Sequence, residues 1–264
     1  MEPLLKWPGG KRLLLDELKE RLPSTWNHYF EPFLGGGALF FALQPTTATL
    51  SDLNPNLIET YLAVRNCPEK VIAALKKLRN GKREYYRVRN SVPSTQIDRA
   101  ARFIYLCTLA FNGIHRCNLK GEFNVPYGFK KHLAVCDEDR IRNASTILQK
   151  ATLCSTDFEE VISKARAKDL IYFDPPYTVA HNNNGFIKYN APIFSWADQI
   201  RLAKVAKRAR DKGCSVLVSN ADHDTVRELY LDFSVATITR HSIIACQRKF
   251  RRPITECLFW HAHD

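Results

Sequence analysis

"IYFDPPYT", Ile171 to Thr178, sets a short apolar run against a carboxylate, two prolines and a tyrosine. The apolar part, read with Asp169 and Leu170 before it, has the length and composition of a strand buried in a sheet. Pro175 and Pro176 stop it, since neither carries the backbone N–H that a further ladder bond would need. The chain therefore leaves the strand with carbonyl acceptors on a stiff backbone beside the Asp174 carboxylate. Such a group suits an exocyclic amino group. Two acceptors facing an NH2 draw on both its hydrogens, disfavour conjugation of its lone pair with the ring and aim that pair at an electrophile. Tyr177 supplies a face on which the ring carrying the amine can stack. An Asp-Pro-Pro turn also occurs as plain structure, so the rest of the chain must agree.

The same strand-end pattern recurs on either side. "HYFEPF" (His28 to Phe33) runs into "LGGG", "TATLSD" (Thr47 to Asp52) ends on an acid, and "CSVLVSN" (Cys214 to Asn220) ends on an amide. Helical stretches separate these strands, which predicts a doubly wound α/β fold with a mostly parallel sheet. Ser195 and Asp198 have the spacing of a capping box, and the helix they open is expected to turn Ile200, Ala203, Ala206 and Ala209 inward and to stop at Gly213. From Lys76 to Arg142 the rhythm breaks. That stretch is richer in charge, holds a buried-looking helix around Phe103 to Phe111, and then carries Gly, Pro and Asn punctuation. The expected division is a catalytic domain from residues 1–75 and 143–264, with 76–142 as an insertion.

Ligands of open α/β sheets bind beyond the carboxyl ends of the strands, so three loops are expected to converge on one site. In "EPFLGGGALF", Gly35 and Gly37 allow the backbone close to a ligand, but Phe40 stands where a dinucleotide fingerprint has a small residue. A plain glycine turn is the competing reading. Asp52 has the spacing of an acid that receives a ribose hydroxyl pair, or that of a helix cap. "KWPGGK" (Lys6 to Lys11) lacks the upstream glycine and the Ser or Thr of a P-loop. Trp7 and Lys11 on that pliable loop suit packing on an adenosine and reaching a carboxylate, or Trp7 is simply part of the core.

Thirty-nine Lys and Arg against twenty-seven Asp and Glu give +12 over 264 residues, a balance that accompanies polyanionic partners or simple solubility. The eight cysteines show no CxxC pair and no metal spacing, and are read as free thiols of a cytoplasmic protein without a resident metal. Phe103 to Phe111, the longest apolar run, is too short to span a bilayer.

In this order, "KWPGGK", "EPFLGGG", "SDLN", "NVPYG" and "DPPY" resemble the Dam-type (D12 class) DNA adenine-N6 methyltransferases, over nearly the whole chain. The resemblance implies a Rossmann-like fold that uses S-adenosylmethionine and carries a mostly helical DNA-recognition insertion. By motif match, Trp7, Lys11, Phe33, Gly35, Gly37, Asp52 and Asp174 would contact the cofactor. Asp174, Pro175, Pro176 and Tyr177 would hold the target adenine. "FNGIHRCNLKGEFNVPYG" (Phe111 to Gly128) is similar to the family's GATC-reading element and places Phe111, Asn112, Ile114, Arg116, Asn118, Lys120, Pro126 and Tyr127 on double-stranded DNA. Arg116 takes the place of the arginine that reads guanine, although a lone Arg in a basic loop also suits a phosphate. The implied reaction is direct transfer to an adenine flipped out of the duplex by a protein that works as a monomer. An amino methyltransferase for cytosine N4 or structured RNA would share most of these residues. A DNA-binding regulator without activity would need a decayed pocket, and none of the motifs is decayed.

Overall fold

Strands covered on both faces are mostly apolar, and three strands here are buried at every position: β1 (Tyr29–Glu31), β4 (Leu170–Phe173) and β5 (Ser215–Ala221). They belong to a computed structural model that describes residues 2–118, 121–130, 132–178, 194–241 and 253–263. The chain divides into two units, one of residues 1–12, 35–44 and 52–155, the other of residues 13–34, 45–51 and 156–264.

Six strands lie in the second unit in the order β2-β1-β4-β5-β7-β6, where β2 is Ala48–Ser51, β6 Ser234–His241 and β7 Pro253–His261. The first four run parallel, with Tyr29 opposite both Ala48 and Leu170, and Leu170 opposite Ser215. From β1 the chain passes to β2 on one side, while β4 lies on the other. The strand order therefore reverses between β1 and β4, the kind of position at which an open sheet leaves a crevice. β7 is antiparallel to both neighbours and separates β5 from β6.

The helix expected after Ser195 spans Trp196–Asp211, and its capping box is formed: Asp198 N–H donates to Ser195 Oγ at 3.2 Å and Ser195 N–H to Asp198 Oδ2 at 2.9 Å. Three of the four residues of the expected row, Ala203, Ala206 and Ala209, face inward, and the first does not. Ile200 is 36% exposed, and Gln199, Leu202, Ala203, Val205, Ala206 and Ala209 are buried. A strict three-residue repeat drifts about 60° per step against a 3.6-residue turn, so the first member of the row leaves the face that the later ones occupy.

The first unit is helical apart from β3 (Ala151–Cys154) and the hairpin described below. Its longest helix, Gln96–Leu109, starts where Thr95 Oγ1 accepts from Asp98 N–H and ends where Ala110 turns to an extended backbone. Phe103, Ile104, Tyr105, Leu106 and Leu109 are buried, each contributing about 1.5–3 kcal/mol. The helix packs on Pro55–Asn66 and Pro68–Lys76. Among the described residues no helix is long and apolar enough to cross a membrane.

Candidate active site

In the first unit, the glycine loop and the acid that follows β2 in sequence are tied together. Gly35 N–H donates to Asp52 Oδ2 at 3.0 Å, Asn54 N–H donates to Asp52 Oδ1 at 2.9 Å, and the buried Tyr61 hydroxyl donates to Gly35 O at 3.0 Å. Asp52 does not cap the helix Pro55–Asn66: that role falls to Asn54, whose Oδ1 accepts from Asn56 N–H at 3.1 Å and Leu57 N–H at 3.3 Å, and Asp52 instead ties the glycine loop to the residue that caps. Each carboxylate oxygen has a second lone pair, so the ribose role stays chemically compatible. Burial raises the Asp52 carboxyl above the usual range, and the two backbone N–H groups partly offset this.

Gly35 and Gly37 have φ of 45° and 64°, the left-handed conformation that costs glycine least. A methyl group on Gly35 would lie 2.6 Å from Trp7 Cδ1 and 2.9 Å from Nε1. The loop therefore has room for the indole only because residue 35 has no side chain. Gly35→Ala should displace Trp7 and cost about 1–3 kcal/mol, read as a lower denaturant midpoint. A midpoint equal to wild type would show that the loop relaxes without strain. Lys11 is 3% exposed, and its Nζ donates to Gly9 O at 3.0 Å.

In the second unit, Phe33 sits in an aromatic cluster 5.4 Å from Phe158, 6.5 Å from Phe173 and edge-on to Phe194 at 5.5 Å. Asp174 follows β4 directly and is half-buried, as are Pro176 and Tyr177, while Pro175 is buried. Gln199 Nε2 approaches Pro176 O at 3.4 Å, and its Oε1 accepts from Asn220 Nδ2 at 2.9 Å. Both amides are fully buried. This pair, which the sequence reading did not single out, links the loop after β4 to the end of β5. "SN" at the end of the β5 run was the available signal for Asn220, and a polar residue on the inner face of the helix was the signal for Gln199.

In the first unit, the segment Phe111 to Gly128 opens with a 3-10 turn at Phe111–Gly113, and its described residues then pair as an antiparallel hairpin, with Ala110 opposite Tyr127 and Cys117 opposite Phe123. Phe111 N–H donates to Pro126 O at 2.9 Å, Asn124 N–H to Arg116 O at 3.1 Å, and Asn118 N–H to Glu122 O at 2.9 Å. Asn112, Arg116, Asn118 and Pro126 are exposed, and Phe111 and Ile114 are half-buried. Arg116 Nε donates to Asn124 Oδ1 at 2.8 Å, and Asn118 Nδ2 to Glu122 Oε2 at 2.8 Å. Tyr127 differs from its neighbours: it is 4% exposed, and its hydroxyl donates to Asn80 Oδ1 at 2.6 Å. Lys120 and most of the stretch after Tyr177 lie outside the described residues.

A parallel sheet with a reversal point, a last strand inserted antiparallel beside β5, a glycine turn after β1, an acid after β2 and Asp-Pro-Pro-Tyr after β4 define an S-adenosylmethionine-dependent methyltransferase fold. The profile of the D12 class N6 adenine-specific DNA methyltransferases matches residues 7–243, and the chain belongs to that family. It is 37% identical over 268 residues to the Type II methyltransferase M1.LlaDCHI of Lactococcus lactis subsp. cremoris, across 98% of this chain and 94% of the relative. With the Type II methyltransferase M.MjaIII of Methanocaldococcus jannaschii it shares 34% over 276 residues, across 96% of each. The DNA adenine methylase of Vibrio cholerae serotype O1 is 31% identical over 261 residues, across 96% of this chain and 94% of the relative. The protein is an adenine-specific DNA methyltransferase that uses S-adenosylmethionine as its methyl donor.

Proposed function

We propose that the enzyme methylates adenine N6 within GATC in duplex DNA, acting on a base turned out of the stack, with Asp174 and Pro175 as the acceptors for the amino group. The observation that carries this reading is the state of the loop after β4, where a half-buried carboxylate precedes a rigid proline pair and the second carbonyl is approached by Gln199. With Pro176 O turned to Gln199, the Asp174 carboxylate and the Pro175 carbonyl are the pair assigned to the two amino hydrogens.

S-adenosylmethionine supplies an electrophilic methyl group on a positively charged sulfur. Asp174 and the Pro175 carbonyl hold the amine so that its lone pair points away from the ring. As the amino nitrogen takes up the methyl group, whose former bonding pair would stay with the donor's sulfur, positive charge would grow on that nitrogen, where the carboxylate would stabilise it. That nitrogen then releases one proton towards Asp174 or water. Tyr177 stacks on the adenine, which repays part of the few kcal/mol lost on unstacking. For the cofactor, the contacts proposed from the family resemblance are Trp7, Lys11, Phe33, Gly35, Gly37, Asp52 and Asp174. Residues 76–142 form the proposed recognition insertion. Its hairpin offers Phe111, Asn112, Ile114, Arg116, Asn118, Lys120 and Pro126 to DNA, with Tyr127 supporting the hairpin from beneath. The protein is proposed to bind as a monomer in the cytoplasm.

Nucleoside analysis of DNA from cells expressing the protein tests the chemistry: N6-methyladenine is expected, and N4-methylcytosine would move the reading to the other amino methyltransferases. Asp52→Ala should weaken S-adenosylmethionine binding about 5- to 150-fold, the loss of two hydrogen bonds of about 0.5–1.5 kcal/mol each. Titration calorimetry reads this, and an unchanged affinity would leave Asp52 only the task of tying Gly35 to Asn54. The wild-type affinity should also depend on pH. Ribose hydroxyls donate to the charged carboxylate, so affinity is full above the raised folded pKa and falls as pH drops through it, earlier than for an ordinary aspartate. The contribution to folding has the opposite sign, being greatest below the unfolded pKa and lost as pH rises through the folded one.

A further inference from the structure

We infer that His115 is a positioning residue that couples cofactor binding to sequence reading, by holding the indole of Trp7 against the hairpin that carries Arg116. The inference rests on the proposed roles of Trp7 and Arg116, and concerns contacts within the first unit alone. The His115 ring stacks on Trp7 with centroids 4.9 Å apart and planes 18° from parallel. It also meets Phe103 at 4.9 Å and Phe123, on the returning strand of the hairpin, edge-on at 5.5 Å. Trp7 also abuts Gly35, and the side chain of the preceding residue is close to a second hairpin position: a methyl group on Gly113 would lie 3.1 Å from Lys6 Cβ.

Residues 5–7 are thus held between the glycine loop and the hairpin, with a small residue at each close approach. A ligand that fixes Trp7 must fix the plane of His115, and His115 is the residue next to Arg116. By linkage, whatever cofactor binding contributes to ordering the hairpin, specific DNA must return as tighter cofactor binding. Burial, helped by the Arg102 charge, lowers the His115 pKa to about 4, so the ring is neutral at physiological pH.

The test uses S-adenosylhomocysteine as an unreactive probe and measures the affinity of the full-length protein for a GATC duplex with and without it. Wild type should bind the duplex at least about fivefold more tightly with the probe, the lower end of usual coupling factors. His115→Ala should bring that ratio close to one, and His115→Phe, which keeps a stacking face, should restore it. A role in folding alone would lower stability and leave the ratio unchanged. If His115→Ala does not fold, hydrogen exchange on wild type decides the matter: the amides of Asn118 and Asn124 should exchange more slowly when the probe is bound. An unchanged ratio in folded His115→Ala, or unchanged exchange, overturns the inference. Trp7→Ala separates this failure from that of the underlying reading. If it leaves probe affinity unaltered, Trp7 is not a cofactor contact at all, whereas weakened probe binding beside an unchanged duplex ratio means that the contact exists and is uncoupled.

Discussion

Asp174→Ala is expected to lower single-turnover methyl transfer by at least about 100- to 1000-fold, the usual loss when one preorganised partner of a developing charge is removed. Duplex affinity should change little, since phosphate contacts position the DNA and the exposed hairpin belongs to the other unit. The backbone there has its own supports: β4 is hydrogen-bonded to β1 and β5, and Gln199 approaches the Pro176 carbonyl. A loss of rate therefore reports the carboxylate itself. Asp174→Asn sharpens the test. It keeps the size and one acceptor oxygen but can turn a donor NH2 towards the amine, so its rate should fall between the two. Wild-type single-turnover rates in the alanine variant would sink the mechanism. A parallel loss of transfer and duplex binding would point to misfolding.

The second large effect concerns sequence reading. Arg116→Ala should lose about 1–3 kcal/mol of discrimination, or about 5- to 150-fold, at the guanine of GATC, with cofactor affinity unchanged. Arg116 Nε is held by Asn124 Oδ1 at 2.8 Å, which orients the end of the guanidinium where Nη1 and Nη2 form the fork that matches O6 and N7 of guanine. Asn124→Ala should therefore shift specificity in the same direction by a smaller amount. A phosphate-binding arginine behaves differently: its loss weakens every duplex alike and lowers the salt slope by about one counterion. Methylation rates on GATC and on each variant of its first base, at one salt concentration, separate the two. Equal slowing on all duplexes would remove guanine reading from Arg116.

What could be read from the sequence follows from how local each signal is. β1, β2, β4 and β5 are legible because apolar runs ending in Gly, Asp, Pro or Asn determine both the strand and its stop within a few residues. The hairpin β6–β7 was not read. Ser234–His241 mixes exposed and buried positions, and its partner lies well downstream, so neither strand is marked by its own residues. Among the site residues, Asp174, Gly35 and Asp52 announced themselves at strand ends. Gln199, Asn220, Asn124 and His115 act through neighbours distant in sequence, and a lone Gln, Asn or His carries no mark of such a partner. The burial of Tyr127 beneath the hairpin has the same cause, because Asn80, which accepts its hydroxyl hydrogen, lies forty-seven positions away.

The placement of β7 has a consequence for how the protein is made. Val216, Leu217 and Val218 pair on one side with β4, yet their other side waits for Pro253–His261, which is synthesised well after β4 and β5. At about 5–20 residues per second, the forty residues from Ala221 to His261 take about 2–8 s to synthesise. For that interval a strand that is buried along its whole length in the finished fold presents an unpaired edge, the kind of surface that recruits other chains. Slow synthesis of this tract, or a stop codon within it, should send the nascent protein towards aggregates rather than towards a smaller active enzyme.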